Sequence, residues 1–155
     1  MKRFLFLILI VSFNISASDE GIQQWVYNTL ERAQANLDKG NIEAAEKIYY
    51  DYANDTWSSR SYDHFVFLRT YAYFLLSFDR NEEALRYLKQ ASLKRDMPPY
   101  DIFELHFTLG QVYYVTGDRD NAKKTLLKWV EIGEKNKLDL KPEGYAILAT
   151  IYAQD

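Results

Sequence analysis

The chain has 155 residues, of which 48% are hydrophobic and 26% are charged, the balance of a folded globular protein. Its formal net charge of −3 argues against nucleic-acid binding, because that function needs a clustered basic surface. The absence of cysteine excludes disulfides, thiolate chemistry and cysteine-based zinc sites, while only 3 prolines and 6 glycines favour long helical runs.

The N-terminus has the composition of a targeting segment. Lys2 and Arg3 precede an unbroken apolar run over residues 4–11, and small residues follow at positions 16–18. A basic start, an apolar stretch and a small-residue site occur in this order in secretory signal peptides. We therefore predict that the protein is exported.

Cleavage is predicted after Ala17 or Ser18, so residues 1–17 are a signal peptide and residues 18–155 form the mature domain. In a Gram-negative cell the mature domain is then periplasmic. The alternative is an uncleaved membrane anchor, although the apolar core is shorter than the roughly 20 residues that a spanning helix needs. Contact with a membrane is expected only in that case.

Further along the chain, apolar residues recur at helical spacing in seven segments separated by glycine, asparagine, aspartate or proline. A polar loop is predicted over residues 54–61, and Pro142 suits the first turn of the last helix. No strand pattern is found. We predict an all-α protein with helices over residues 22–37, 42–49, 62–78, 82–93, 100–115, 120–135 and 143–153.

These helices form repeating pairs. Ala45, Ala84 and Ala122 occupy the same place in the second helix of each pair, 39 and 38 residues apart, and each follows a short turn. The three turns are Gly40-Asn41, Asp79-Arg80 and Gly117-Asp118. A fixed period of this length is typical of solenoid proteins.

The first helices repeat as well, and their motif resembles the tetratricopeptide repeat family. The segment Leu109-Gly110-Gln111-Val112-Tyr113 is similar to the L-G-x-x-Y step of that family, and it recurs 39 residues later as Leu148, Ala149 and Tyr152. The resemblance implies an α-solenoid of three helical hairpins and a closing half-repeat over residues 26–152. The period is longer than the 34 residues usual in the family.

The resemblance also implies a peptide-binding groove lined by the first helices. Tyrosine and arginine make good recognition anchors because they combine apolar area with directed hydrogen bonds. Phe107 and Tyr73 have an equally weighted alternative role, packing between neighbouring repeats. Arg69 is the one cation expected there, so the lysine and asparagine clamp of some family members is missing. The predicted groove residues are Gln34, Arg69, Tyr73, Phe107, Gln111 and Tyr114.

No catalytic motif is present, and we predict neither an enzyme nor a cofactor or metal site. His64 and His106 are interpreted as structural, and Asp51, Asp55 and Asp63 as solvated loop acids whose spacing matches no calcium loop.

The tyrosines of the repeat motif are predicted to face the core. The last helix is expected to cover the apolar side of the helix before it with Tyr145, Leu148, Ala149 and Tyr152. The predicted core tyrosines are Tyr49, Tyr71, Tyr113, Tyr145 and Tyr152.

The functional prediction is an exported helical-repeat protein that binds a protein or peptide as a scaffold, chaperone or assembly factor. The alternative is a membrane-anchored structural subunit of a larger envelope complex. A third class, an enzyme or small-ligand binder, would need a closed pocket with perturbed titratable groups.

Overall fold

A computed structural model describes residues 21–55 and 61–154, and the chain within those ranges forms seven α-helices and no strand. The predicted all-α architecture is confirmed. The predicted signal peptide and residues 56–60 of the predicted polar loop lie outside the described residues. The helices are α1 (Gln24–Asp38), α2 (Ile42–Asn54), α3 (Ser61–Ser77), α4 (Asn81–Ser92), α5 (Pro99–Val115), α6 (Arg119–Asn136) and α7 (Pro142–Tyr152).

The turn inside each hairpin uses one left-handed residue. Gly40, Asp79 and Gly117 have φ values of 76°, 58° and 86°. In each turn the next residue donates its N–H to the carbonyl five residues earlier, at 2.8 to 3.0 Å. This is the hydrogen bonding of a Schellman helix end, and glycine or aspartate suits it because both tolerate left-handed backbone. The predicted turns are therefore confirmed.

Small residues are buried within each hairpin. Ala45, Ala84 and Ala122 have no exposed surface. A Cβ added at Gly110 would lie 2.6 Å from Leu126 Cγ, so α5 and α6 can approach this closely only because position 110 lacks a side chain. The three alanines that the repeat alignment equated are therefore all buried.

Two hydrophobic clusters fill the described domain. The larger one extends through the hairpins and includes the predicted core residues Tyr49, Tyr71 and Tyr113, which are 4%, 2% and 8% exposed. The second lies between α5, α6 and α7 and is centred on Trp129, whose ring centroid is 5.5 Å from that of Phe103. α7 therefore closes the stack against α6, as predicted.

The face that α7 turns inward differs from the prediction. Its buried residues are Gly144, Leu148 and Ile151, and a Cβ at Gly144 would overlap the Trp129 ring. Tyr145 and Tyr152 are 45% and 53% exposed. The Trp129 ring leaves room only for the face of α7 that carries Gly144. In the described chain no second helix follows α7 to cover its opposite side. Of the predicted inner face Tyr145, Leu148, Ala149 and Tyr152, only Leu148 is buried.

Asp63 also differs from the prediction, since it is fully buried in the first turn of α3. Its Oδ1 accepts the backbone N–H of Gln23 at 3.3 Å, which ties the start of α1 to α3. It is a buried structural carboxylate instead of a solvated loop acid.

Within residues 21–55 and 61–154, no helix has the length and hydropathy needed to cross a membrane.

Candidate functional site

Side chains of α3 and α5 meet along a polar seam between these two first helices. Tyr62, Arg69 and Tyr73 recur at helical spacing on α3, so they share one face of that helix. On α5, Asp101 and Thr108 are likewise two turns apart. We call these five residues the α3–α5 seam.

An ion pair between Arg69 and Asp101 is the centre of the seam. Their side chains are only 17% and 14% exposed, so solvent screens the pair weakly. The Arg69 guanidinium also lies over the Phe65 ring, 5.1 Å from its centroid. Arg69 therefore already has an intramolecular partner for its charge and for one of its faces.

The tyrosines extend the seam on either side of this ion pair. Tyr62 donates its hydroxyl to Asp101 Oδ2 at 2.9 Å, and the hydroxyl of Tyr73 lies 3.4 Å from Thr108 Oγ1. Burial, followed by the negative charge of Asp101, raises the pKa of Tyr62 to about 12. Burial also raises the pKa of Tyr73. Both phenols consequently keep their protons at neutral pH.

A second ion pair connects α5 with the start of α7. Lys141 Nζ lies 2.7 Å from Glu104 Oε2, and the same ammonium group lies 4.5 Å from the centroid of the Phe107 ring. Arg69 and Lys141 are therefore each neutralised by a carboxylate of α5.

The six predicted groove residues do not form one contiguous exposed set. Phe107 is 5% exposed and its ring centroid is 5.2 Å from that of Trp129, which favours the alternative in which it packs between repeats. Gln34 is exposed on α1 and donates its Nε2 to Asp38 Oδ1 at 2.8 Å. Gln111 and Tyr114 are partly exposed on α5.

Sequence reasoning missed Asp101, Tyr62 and Tyr100. An acidic residue in the first turn of a helix is common for electrostatic reasons, so nothing marked Asp101 as the partner of Arg69, 32 residues away. Tyr100 is 60% exposed beside the seam, and the nearby charge of Glu104 raises its pKa.

Two surface depressions lie away from the seam. The larger, about 470 Å³, lies where the α3–α4 turn meets the end of α5, and Arg80 in its wall is ion-paired with Glu46 and Glu83 at 2.6 and 2.7 Å. The smaller, about 260 Å³, lies beside His64 and Lys94. Among the described residues, no three histidine, aspartate or glutamate side chains are grouped to hold a metal ion.

Both histidines contact a backbone carbonyl. His64 Nε2 lies 3.1 Å from the oxygen of Ala53, and its Nδ1 lies 2.9 Å from Lys94 Nζ, so the ring joins α2 to the end of α4. Burial and then Lys94 lower the pKa of His64. His106 Nδ1 lies 2.8 Å from the oxygen of Ile102. These contacts agree with the predicted structural role.

Comparison with known proteins supports the fold. No family model and no curated protein matches the sequence significantly. Several solved structures match it, and two of them are structures of PcrH. One is PcrH in complex with the chaperone binding region of PopB, with a TM-score of 0.55 and 15% identity, covering 86% of this chain and 98% of PcrH.

The other is PcrH from Pseudomonas aeruginosa, with a TM-score of 0.54 and 16% identity, covering 88% of this chain and 94% of PcrH. These likenesses extend over nearly the whole helical stack. Together with the seven helices, they show a tetratricopeptide-like helical-repeat fold.

Proposed function

We propose that this chain is an exported helical-repeat protein that binds a segment of another protein, acting in the periplasm as a chaperone, scaffold or assembly factor. The observation that carries the binding part of the proposal is the likeness to PcrH, which was solved in complex with the chaperone binding region of PopB. The proposed export rests on the composition of residues 1–18 alone. A fold does not establish a function, so the chemistry of the surface must also suit a bound segment.

The first helices offer a surface suited to an uncharged segment. Arg69 and Lys141 are neutralised by Asp101 and Glu104, so neither cation is presented alone to a ligand. Hydrogen-bonding groups and aromatic area remain at Gln111, Tyr114 and Tyr100. A peptide with apolar side chains and unpaired backbone groups matches this chemistry, and its binding should depend little on ionic strength.

The decisive experiment combines partner capture with surface variants. The processed protein would be used to capture partners from a periplasmic extract, with identification by mass spectrometry and titration calorimetry on the purified partner. The combined variant Gln111→Ala and Tyr114→Ala should lose at least about 1 kcal/mol of affinity per anchor. Its melting temperature should fall only slightly, because Tyr114 is half-buried against the larger hydrophobic cluster and Gln111 is partly exposed.

The matched control is Leu127→Ala, an exposed position on the second helix α6. This variant should bind like the wild type. If the Gln111/Tyr114 variant kept full affinity, the binding surface would have to lie elsewhere on the molecule.

Export is tested separately. Intact mass of the protein recovered from the periplasmic fraction should show the loss of 17 or 18 N-terminal residues. A full-length chain retained in the membrane fraction would instead favour the anchored structural subunit.

A further inference from the structure

His64 lies near the start of α3, where the first two hairpins meet, and its imidazole contacts a neighbouring element on each side. Its Nε2 lies 3.1 Å from the backbone oxygen of Ala53, in the last turn of α2. Its Nδ1 lies 2.9 Å from Nζ of Lys94, two residues after the end of α4. One ring therefore connects α3 with the ends of both α2 and α4.

The two contacts determine which nitrogen of the imidazole has the proton. A lysine ammonium group can only donate hydrogen bonds, and a backbone carbonyl can only accept them. Nδ1 of His64 must therefore accept from Lys94, while Nε2–H donates to Ala53. A neutral ring with its proton on Nε2 satisfies both contacts, whereas a doubly protonated ring loses the contact with Lys94.

The surroundings of His64 favour its neutral form. Within residues 21–55 and 61–154, the charged groups that act on the ring are Lys94 and Asp55, which directly follows α2. Burial lowers the pKa of His64 and Lys94 lowers it further, while the Ala53 carbonyl and Asp55 act in the opposite direction. The preceding carboxylate, Asp63, accepts a backbone N–H from the N-cap residue of α1. The ring is consequently neutral at neutral pH.

We propose that His64 is a pH-dependent link between the first two hairpins, in which uptake of a proton at Nδ1 releases Lys94 and weakens the junction of α2 with α4. Two N–H donors and two positive charges would otherwise face each other across 2.9 Å, and like charges at that distance repel. A depression of about 260 Å³ beside the ring gives the ammonium group room to turn away. Besides the two interacting residues, it is lined by Leu68, Gln90 and Leu93.

The expected change is a loosening of this junction, because a second contact between α2 and α4 remains. The hydroxyl of Tyr87 on α4 lies 3.0 and 3.3 Å from the side-chain nitrogen and oxygen of Asn54, the last residue of α2. This contact does not involve the imidazole. Acid should therefore loosen the region around His64 while the two hairpins stay packed.

His106 provides an internal comparison, because the chain has only 2 histidines. Its Nδ1 lies 2.8 Å from the oxygen of Ile102, four residues earlier in α5, so this contact joins no other element. Burial lowers the pKa of His106 as well. An unfolded histidine takes up its proton near pH ~6.5, so both rings make the fold less stable as the pH falls below that value. Only the titration of His64 should also alter a contact between helices.

The test is an NMR titration of both imidazoles in the chain as its host produces it, from about pH 7.5 to about pH 5. At the upper pH, the ring ¹⁵N shifts should show the Nε2–H tautomer for His64. The backbone amide signals of Ala53 and Lys94 should then move with the midpoint of His64. The variant His106→Gln assigns the two rings, because it leaves a single imidazole signal.

Hydrogen exchange measures the loosening itself. The amide protection factors in the last turns of α2 and α4 should fall by at least about threefold over the same pH range. His64→Gln should abolish that fall, because its side-chain amide can donate to Ala53 and accept from Lys94 without titrating. In His106→Gln the fall should persist.

Lys94→Gln removes the facing charge, so it should raise the pKa of His64 and leave that of His106 unchanged. The matched control is Lys89→Gln, which removes the same charge from an exposed position of α4 and should leave both values unchanged. An Nδ1–H tautomer for His64 at the upper pH would overturn the proposal, as would a pKa of His64 that ignores Lys94→Gln. Amide signals or protection factors that do not follow the titration of His64 would also overturn it.

Discussion

Helices α5 and α7 have the same motif but differ in what is buried. In α5, Leu109 and Tyr113 are 5% and 8% exposed, and Gly110 is buried between them. In α7, Leu148 is 6% exposed, but the residue equivalent to Tyr113 is Tyr152, which is 53% exposed. The same residue types thus have different environments because α6 follows α5, and no helix follows α7 in the described chain.

The repeat motif thus places residues on two faces of its helix. One face packs against the preceding repeat, and the other packs against the second helix of its own hairpin. Leu148 belongs to the first kind, since it packs in the cluster around Trp129. Tyr152 belongs to the second kind, and its ring is 53% exposed with Lys123 Nζ of α6 4.2 Å from its centroid. Four perturbations would break or sharpen this difference.

The largest effect is expected when α7 is removed. A chain ending at Lys141 loses the buried residues Leu148 and Ile151 and uncovers Trp129. We expect the free energy of unfolding to fall by about 5 kcal/mol, because burial of each large apolar side chain contributes about 1.5–3 kcal/mol. Urea denaturation measures this. A chain ending at Ala153 is the control, and equal stability of the two truncations would show that α7 does not cap the stack.

The next largest loss of stability is expected when Trp129, which contacts both α5 and α7, is replaced. Trp129 is fully buried between Phe103, Phe107 and Gly144, so Trp129→Ala should cost about 4 kcal/mol. Leu127→Ala on the same helix removes a side chain that is 45% exposed and should cost about 1 kcal/mol or less. Similar losses for both variants in thermal denaturation would contradict the central place of Trp129.

A smaller difference is expected between the ion pairs that hold α5 and α7 to their neighbours. Asp101→Ala leaves the weakly exposed Arg69 without its carboxylate and Tyr62 without its acceptor, so it should cost about 2 kcal/mol. Glu104→Ala should cost less than about 1 kcal/mol, because Lys141 is 33% exposed and can turn to solvent.

A double-mutant cycle with Arg69→Ala would isolate the coupling in the α3–α5 seam. If Arg69→Ala and Asp101→Ala had additive effects on the free energy of unfolding, the ion pair would contribute nothing to the joining of α3 and α5.

The smallest effect concerns the equivalent positions Gly110 and Ala149. Gly110→Ala places a Cβ 2.6 Å from Leu126 Cγ, and overpacking offset by better helix propensity should leave a loss of about 1 kcal/mol. Ala149→Leu adds a larger group to an exposed site and should change the monomer's stability by less than about 0.5 kcal/mol. Melting temperatures at low protein concentration measure both effects. A larger loss of stability for Ala149→Leu than for Gly110→Ala would show that Ala149 is covered by other side chains.

Local features were predictable from the sequence because they depend on neighbouring residues. Helix spacing, the left-handed turns at Gly40, Asp79 and Gly117, and the small residues at the crossings are all encoded within one hairpin. The seven helices and their pairing follow from these features. Ala122, Leu126 and Trp129 recur at helical spacing on α6, and all three are fully buried.

Contacts between hairpins could only come from the tertiary structure. Arg69 was predicted to face a ligand, yet Asp101 lies against it because α3 and α5 are side by side, 32 residues apart in the chain. The inward face of α7 was decided by the shape of Trp129, which accepts Gly144 and leaves Tyr145 and Tyr152 largely exposed. Periodicity specifies that a helix has an apolar side, but where two sides are apolar, only the neighbour that is present determines which one is buried.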